Sequence, residues 1–230
     1  MNVIARVESP YTEKFAIPRQ PGIVSSAKGK VHFCNEYNNA ELVRDLTQFT
    51  HVWIVFVFHQ TQAQGWKSLV RPPRLGGNKK TGVLATRSNF RPNPIGMSVV
   101  QLDDVTIEKN GDVVLEVSGL DILDGTPVVD IKPYIPYCDA LHNANAGFAQ
   151  ESPLANLSVI YAPSIEQRLT EIDKLHTGFS DLVSQVLSQD PRPAYKKNKL
   201  DTKVYGISLY TFNIQWQLID NNTIKIIAVS

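Results

Sequence analysis

The sequence contains little cysteine and no long apolar run. Cys34 and Cys138 are the only cysteines among 230 residues, and neither belongs to a Cys-x-x-Cys pair. We therefore predict no disulfide and two buried or partly buried free thiols in a reducing compartment. The longest apolar run, residues 52–58, is too short to cross a bilayer, and the N-terminus lacks the apolar core of a signal peptide. These absences predict a cytoplasmic protein without membrane contact.

The usual patterns for metal and nucleotide binding are also missing. The histidines His32, His51, His59, His142 and His176 show no His-Glu-x-x-His spacing, so we predict no metal. Gly77 and Gly82 have the separation found in a phosphate-binding loop, but Val83 and Leu84 stand where Lys and Ser or Thr are needed. No Gly-x-Gly-x-x-Gly lies between a strand and a helix. Nucleotide hydrolysis on a P-loop and Rossmann cofactor binding are thereby excluded.

Positive charge is concentrated in two parts of a chain whose net charge is only +1. The first part has no acidic residue and contains Arg71, Arg74, Lys79, Lys80, Arg87 and Arg91. The second contains Arg192, Lys196, Lys197, Lys199 and Lys203, interrupted only by Asp201. Such segregation is typical of a surface that binds the backbone of a polyanion, and charge runs are as often ordinary solvated surface.

The first 140 residues are rich in predicted strands. Residues 51–58 form a β-branched and aromatic run that predicts a strand buried on both faces. Residues 97–107 and 113–117 flank an Asn-Gly turn, which predicts a hairpin, and residues 128–131 predict another short strand. Only residues 40–46 suggest a helix. The absence of strand–helix alternation favours an antiparallel barrel or sandwich over a doubly wound sheet.

The C-terminal part predicts a small α+β domain. Residues 143–158 are rich in Asn, Ala, Ser and Pro, which predicts a linker between domains 1–142 and 159–230. A capping box with Ser164 at the N-cap and Gln167 at N3 predicts a helix start. Its apolar face would carry Ile165, Leu169, Ile172 and Leu175, and a second helix would carry Leu182, Val183, Val186 and Leu187. Residues 206–218 and 223–229 predict a closing pair of strands.

The segment with most chemistry is residues 86–96, which holds two arginines, two asparagines and two prolines and no acid. Proline fixes φ and removes a donor, so the segment predicts a stiff loop whose side chains project outward into a site or a partner. Pro18-Arg19-Gln20-Pro21 and the residues 189–195, which include Arg192 and Tyr195, repeat the arrangement of arginine between prolines. An arginine presented beside an aromatic ring suits phosphate contact with base stacking.

Two further groups predict polar chemistry near the barrel. His59 and Gln60 follow the apolar strand, where polar groups commonly line a pocket at the mouth of a barrel. Asp121 and Asp124 lie three residues apart in a turn bounded by glycine and proline. These carboxylates are consistent with an ordinary turn. They are equally consistent with a site that holds a ribose diol or offsets a sulfonium charge.

Taken together, these segments resemble one family. The chain contains, in the order typical of that family, Pro-Arg-Gln-Pro-Gly (18–22), His-Gln (59–60), Arg-Pro-Pro-Arg-Leu-Gly-Gly (71–77), Ala-Thr-Arg-Ser-x-Phe-Arg-Pro-Asn-Pro-Ile-Gly (85–96), Asp-Gly-Thr-Pro-Val-Val-Asp-Ile-Lys-Pro-Tyr (124–134) and Asp-Pro-Arg-Pro-x-Tyr (190–195). The family is that of the bacterial tRNA threonylcarbamoyladenosine N6-methyltransferases, the TsaA-like β-barrel class. The match runs from about Ser9 to the C-terminal hairpin.

The resemblance implies a fold, a reaction and a set of site residues. It implies an antiparallel β-barrel with a small α+β domain, a homodimer, and methylation by S-adenosylmethionine of N6 of threonylcarbamoyladenosine beside the anticodon of threonine tRNA. The implied cofactor residues are Pro18, Arg19, Gln20, His59, Gln60, Arg87, Met97, Asp121, Ile122, Leu123 and Asp124. The implied tRNA-binding residues are Arg71, Arg74, Lys79, Lys80, Arg91, Asp190, Arg192, Tyr195, Lys196 and Lys197.

Several points stay open at this level. A general base is expected because the acylated nitrogen must lose its proton, and Asp121, Asp124 and His59 are unranked candidates. We expect Arg87 to anchor a carboxylate of the cofactor or of the threonyl group. A non-catalytic RNA-binding barrel is the main alternative. A third possible function is that of a barrel that binds a small molecule and no RNA. This function leaves the second basic cluster unexplained.

Overall fold

The chain forms a closed antiparallel barrel followed by a four-stranded sheet with two helices. The computed structural model describes residues 1–153, 157–193, 196–197 and 200–230. The barrel strands are β1 Ala5–Glu8, β2 Lys28–Phe33, β3 His51–Val57, β6 Ile95–Ile107, β7 Val113–Ser118 and β8 Pro127–Pro133. Two short strands, β4 Leu69–Val70 and β5 Thr81–Gly82, pair in the connection between β3 and β6. The predicted fold class is confirmed.

Neighbouring barrel strands run antiparallel in the order β1-β2-β7-β6-β3-β8, and β8 pairs with β1 to close the barrel. Alternate residues of each strand face the interior, as the pleat requires. In β3 the inward residues Val52, Ile54 and Phe56 are buried, and their neighbours on the outer face are only half-buried. The expectation of a strand buried on both faces is therefore wrong, because the outer face of the barrel is incompletely covered.

The hairpin between β6 and β7 is confirmed. Glu108 N donates to Asp112 O at 2.8 Å, and Gly111 has the left-handed φ of 89° that an Asn-Gly turn requires. The prediction of a single helix in this part of the chain is wrong, because its long connections contain several short ones. These are α1 Pro136–Asp139 and short 3-10 helices at Asn35–Tyr37, Ala40–Val43, Leu46–Gln48, His59–Gln64, Pro73–Leu75 and Val83–Ala85.

The C-terminal sheet contains β9 Ser158–Tyr161, β10 Tyr205–Leu209, β11 Phe212–Leu218 and β12 Thr223–Val229 in the order β10-β11-β12-β9. The segment 206–218 is therefore two strands rather than one, because the chain turns back at Tyr210, whose φ is 53°. Strand β9 runs parallel to β12 and thereby joins the end of the predicted linker to the sheet.

Two helices accompany this sheet, α2 Pro163–Asp173 and α3 Phe179–Ser188. The predicted capping box is wrong: Pro163 occupies the first helical position and Ala162 is the N-cap, an arrangement that proline favours. Leu169 and Ile172 are buried as predicted, but Leu175 lies beyond the end of α2 and is 77% exposed. The apolar face predicted for α3 is confirmed, since all four of its residues are buried.

The C-terminal sheet packs directly on the barrel. Tyr11 bridges to Leu209, Tyr210 N donates to Pro10 O at 2.8 Å, and Ser208 N donates to Glu13 Oε1 at 2.8 Å. One continuous apolar core includes buried residues of both parts. The division into domains 1–142 and 159–230 stays a prediction. In the structure the two parts contribute to the same apolar core.

Of the two free thiols, Cys34 is half-buried as predicted, whereas Cys138 is exposed, so the prediction for Cys138 is wrong. Among the described residues no helix is both long and apolar enough to cross a bilayer.

Candidate active site and adjoining cationic cleft

One end of the barrel gathers several of the predicted site residues. The register pairs Val57 at the end of β3 with Ile95 at the start of β6, and Phe56 with Val128 near the start of β8. His59 and Gln60, which follow β3, therefore lie at the same end as Met97 and the turn 121–124, which precedes β8. Gly96 is required here, because a Cβ at this position would lie 2.4 Å from the ring of Phe56.

A serine inside the barrel holds Asp121. Ser98 is buried in β6, and its Oγ donates to Asp121 Oδ1 at 2.5 Å. Burial raises the pKa of Asp121 from 3.8 to about 6, against the opposing effects of the Ser98 hydroxyl and the Arg87 charge. Asp121 is thus a carboxylate poised to exchange a proton near neutral pH, as a general base must be.

Arg87 and Gln20 meet beside this carboxylate. Arg87 Nη1 donates to Gln20 Oε1 at 2.6 Å, and the guanidinium remains exposed. Gln20 comes from the proline-bounded segment, which is tied to the turn before Asp121 because Gly22 N donates to Gly119 O at 2.8 Å. Residues from four separate parts of the sequence therefore form one polar group: Gln20, Arg87, Ser98 and Asp121.

The loop 86–94 is held by internal hydrogen bonds, and not all of its side chains project outward. Arg91 Nη1 donates to Thr86 O at 2.6 Å, and Thr86 Oγ1 donates to Val83 O at 2.8 Å. The expectation of an outward-facing arginine is wrong for Arg91, because the loop uses this side chain to satisfy its own carbonyls. Arg87 is the arginine that this loop presents to solvent.

The other candidates for a general base are less favourably placed. Asp124 is exposed, and its Oδ1 accepts a hydrogen bond from Ser9 N at 2.9 Å, which anchors the turn. The pKa of His59 is lowered, mainly by burial and then by the nearby charge of Arg6, so this imidazole is neutral at pH 7. His59 is half-buried and remains a second candidate base.

The remaining predicted cofactor residues differ in exposure. Met97 is 52% exposed on the outer face of β6, and the side chain of Ile122 is buried. Ile122 O accepts a hydrogen bond from Ser9 Oγ at 2.7 Å. Pro18 is buried, Gln60 and Arg19 are exposed, and Leu123 is half-buried. The contact of these residues with a cofactor stays a prediction.

A cleft of about 980 Å³ adjoins this group and shares Gln20 and Arg87 with it. Among the described residues that line the cleft, none is acidic and five are cationic: Arg19, Arg71, Arg74, Arg87 and Lys197. Partial desolvation in the cleft, and then the charge of Arg74, lower the pKa of Arg19. The pKa of Lys197 is lowered by burial, and Arg19 and Arg192 lower it further against the attraction of Asp190. Such a cleft is suited to a polyanion.

One wall of the cleft comes from the predicted linker, which our sequence analysis did not include in any site. Ala146, Phe148, Ala149 and Pro153 line it, and Gly147–Ala149 forms a 3-10 turn. Arg74 Nη1 donates to Glu151 O at 2.6 Å and holds the segment in place. The available signal was Phe148, the one aromatic residue of the segment 143–158.

The second basic cluster is largely occupied by internal contacts. Arg192 is 2% exposed, and its Nε and Nη2 lie 2.8 and 2.9 Å from the two carboxylate oxygens of Asp190. Lys196 Nζ donates to Asp201 Oδ2 at 2.8 Å and to Tyr205 Oη at 2.9 Å. Neighbouring acids therefore hold the charged groups of Arg192 and Lys196, and the contact of these residues with tRNA stays a prediction.

Lys197 donates to Gln189 O at 3.1 Å and lines the cleft. Lys79 and Lys80 are exposed on the β4–β5 connection outside the lining, and their contact with tRNA stays a prediction. Tyr195 and Lys199 lie outside the described residues. No group of three or more His, Cys, Asp or Glu side chains that could hold a metal ion occurs in the part of the chain that the structure describes.

Comparison with known proteins gives consistent matches over the whole chain. Residues 6–140 match the family model of the tRNA-methyltransferase O N-terminal domain, and residues 154–230 match that of the TrmO C-terminal domain. The chain is 50% identical over 217 residues to the Escherichia coli protein named tRNA (adenine(37)-N6)-methyltransferase, covering 94% of this chain and 92% of the relative.

Two matches from Pseudomonas aeruginosa, one in sequence and one in structure, extend the comparison. The chain is 39% identical over 228 residues to one with the provisional name S-adenosylmethionine-dependent methyltransferase RcsF, covering 99% of this chain and 96% of that protein. A crystal structure of TrmO superposes with a TM-score of 0.81 at 35% identity, and covers 100% of this chain and 97% of the other. Sequence and fold therefore lead to the same relatives.

Proposed function

Since the chain belongs to the tRNA-methyltransferase O family, we propose that it methylates N6 of adenosine 37 in tRNA, with S-adenosylmethionine as methyl donor. The proposed substrate is the threonylcarbamoyl form of that adenosine, beside the anticodon of threonine tRNA. The observation that carries the proposal is the polar group of Gln20, Arg87, Ser98 and Asp121, which opens into a cleft lined by cations. Gln20 and Arg87 thus belong both to the polar group around Asp121 and to the lining of the cationic cleft.

The donor set at this end of the barrel fits S-adenosylmethionine. The exposed guanidinium of Arg87 suits the carboxylate of the methionine part, and the Gln20 amide suits polar atoms beside it. The carboxylate of Asp121 suits ribose hydroxyls or the cationic sulfur. The other proposed contacts are Pro18, Arg19, His59, Gln60, Met97 and the backbone of residues 122–124. When bound, the cofactor supplies a methyl group on a positively charged sulfur that a nitrogen nucleophile displaces.

In our proposal the protein contributes positioning and one proton acceptor. N6 of threonylcarbamoyladenosine is acylated and weakly basic, so its proton must leave near the transition state. Asp121 is the best-placed base, because its Oδ1 is held by Ser98 and its raised pKa matches neutral pH. The N6 proton would pass to Asp121 Oδ2. Correct alignment of the two reacting centres supplies the remainder of the catalysis.

The cleft would hold the anticodon loop. Arg71, Arg74 and Lys197 all line the cleft and would neutralise phosphates, and no acidic side chain among the described lining residues repels them. Lys79 and Lys80 would extend this surface. We also propose that the protein acts in the cytoplasm as a homodimer, as the resemblance implies.

The proposal is tested by transfer of labelled methyl from S-adenosylmethionine to threonine tRNA with and without the threonylcarbamoyl group. Incorporation only into the modified tRNA supports both the reaction and the substrate. Incorporation into both tRNAs supports methyl transfer to tRNA and refutes a requirement for the threonylcarbamoyl group. No incorporation by a folded protein that binds tRNA favours a non-catalytic RNA-binding barrel. Asp121→Asn should lose activity, and Asp124→Asn on the same turn is the matched control for Asp121 as the base.

A further inference from the structure

An exposed aromatic ring stands among the cations of the cleft. Phe148 is 43% exposed and belongs to the lining of the cleft. It lies on the 3-10 turn Gly147–Ala149 of the segment that the sequence predicts to be a linker. Exposure of a single ring is ordinary, and what distinguishes Phe148 from exposed rings such as Tyr137 is its place in a cleft lined by cations.

The segment that carries Phe148 is held by specific hydrogen bonds. Ala146 N donates to Gln150 Oε1 at 2.8 Å, and Gly147 N donates to Asn145 Oδ1 at 2.7 Å. The turn packs against the 3-10 turn Pro73–Leu75, from which Arg74 reaches Glu151 O. The ring is therefore presented by a pre-organised support, which reduces the entropy lost on binding.

The combination of side chains identifies the class of ligand. Five cations with no acid among the described lining residues favour an anionic partner, and an exposed ring among them offers a surface for stacking. An acidic peptide supplies the charge and only an occasional ring, and a paired RNA stem keeps its bases stacked on one another. Single-stranded nucleic acid supplies both phosphates and unstacked bases.

We propose that Phe148 stacks on an unpaired base of the tRNA anticodon loop while Arg71, Arg74 and Lys197 bind the adjoining phosphates. The segment 143–153 is then part of the RNA-binding surface rather than a passive connection. This inference rests on the proposed function for the identity of the RNA, and on the geometry of the cleft for the stacking contact.

The test measures binding of the full-length protein to an anticodon stem–loop RNA at several salt concentrations. Phe148→Leu should weaken binding about tenfold at every salt concentration, since base stacking on an aromatic side chain contributes this much or more. The slope of log Kd against log salt should not change, because no charge is removed. Phe148→Trp should restore the affinity.

Matched variants separate stacking from charge. Arg71→Gln should reduce the salt slope by about one, because one phosphate contact is lost. Tyr137→Leu alters a ring that is 89% exposed and outside the cleft lining, and it should leave binding unchanged. A paired RNA duplex of the same length should bind the wild-type protein and Phe148→Leu equally. Unfolding midpoints within a few degrees of wild type would show that each variant is folded.

The inference is overturned if Phe148→Leu binds the stem–loop as tightly as wild type, or if Trp fails to rescue it. Loss of affinity with an altered salt slope would also reject stacking, because the cations would then have moved. Methyl transfer by the wild-type protein is measured in parallel. A protein that shows the Phe148 effect but no transfer supports this inference and refutes the proposed reaction. Normal methyl transfer without an effect of Phe148→Leu on binding supports the proposed reaction and refutes this inference.

Discussion

The pH dependence of stability provides the most demanding test of the site, through Asp121→Asn. The pKa of Asp121 is raised from 3.8 to about 6 by burial, so the folded protein holds this proton more tightly than the unfolded chain does. The stabilisation from the bound proton is complete below about pH 3.8 and is lost as the pH rises through about 6. Above that pH the ionised carboxylate destabilises the native state.

The magnitude follows from the two pKa values. A rise from 3.8 to about 6 corresponds to a destabilisation of about 3 kcal/mol once Asp121 is fully ionised, and to about half of that at pH 5. Asparagine has the same shape, carries no charge and accepts the Ser98 hydrogen bond. Asp121→Asn should therefore be more stable than wild type by about 3 kcal/mol at pH 8 and by about 1.5 kcal/mol at pH 5.

The assay is equilibrium urea unfolding followed by tryptophan fluorescence at pH 5 and pH 8, with Asp124→Asn in parallel. Asp124 is exposed, so its replacement should give no comparable gain at either pH. No stabilisation by Asp121→Asn at pH 8, or an equal gain at both values, would refute a buried ionised carboxylate. The same variant should lose methyl transfer, and wild-type kcat/KM should fall as the pH drops below about 6.

Three further predictions concern single residues around the site. Arg87→Ala should weaken binding of cofactor or modified tRNA at least tenfold with an unchanged unfolding midpoint, measured by calorimetric titration, because its guanidinium is exposed. Gly96→Ala should destabilise the fold by about 2–3 kcal/mol in urea unfolding, because the new methyl overlaps an aromatic ring inside the barrel. Arg192→Met should destabilise the fold by about 3 kcal/mol in thermal or urea unfolding, because Asp190, whose side chain is only 12% exposed, would lose its partner.

Each of these predictions has a control. Unchanged binding of both ligands by Arg87→Ala would remove Arg87 from the site. For Gly96, the matched change is Gly82→Ala, since a Cβ there meets nothing within 4 Å and the φ of Gly82 is −59°. Equal effects of the two glycine changes would contradict the packing argument. If Arg192→Met reduced the salt slope of tRNA binding without loss of stability, Arg192 would be a contact to RNA rather than a structural partner of Asp190.

The fold was largely predictable because its signals are local. β-branched residues, the Asn-Gly hairpin and the apolar face of α3 each act within a few residues, and they predicted β-rich and α+β parts that the structure confirms. The errors occurred where a neighbouring residue decided the outcome. Pro163 displaced the expected N-cap at Ser164, and the turn at Tyr210 divided one predicted strand into two.

The candidate site was predictable in composition but not in arrangement. The proline-stiffened loops selected Gln20 and Arg87 as site candidates, and the structure brings these two side chains together. The same logic did not foresee that Arg91 bonds its own loop or that Arg192 pairs with Asp190. Proline fixes the backbone and does not determine where a long side chain finds its partner. That partner depends on which acids and carbonyls lie nearby in the folded chain.

The sequence by itself determined the strands, the cationic segments and the types of side chain available for chemistry, because these depend on local backbone preference and composition. Only the tertiary structure decided that Ser98 holds Asp121 and that Arg87 meets Gln20, since these contacts follow from barrel closure and strand register. Only the structure also shows that the predicted linker lines the cleft and that Phe148 belongs to this lining. Contacts between distant segments require the whole barrel, and no local pattern encodes them.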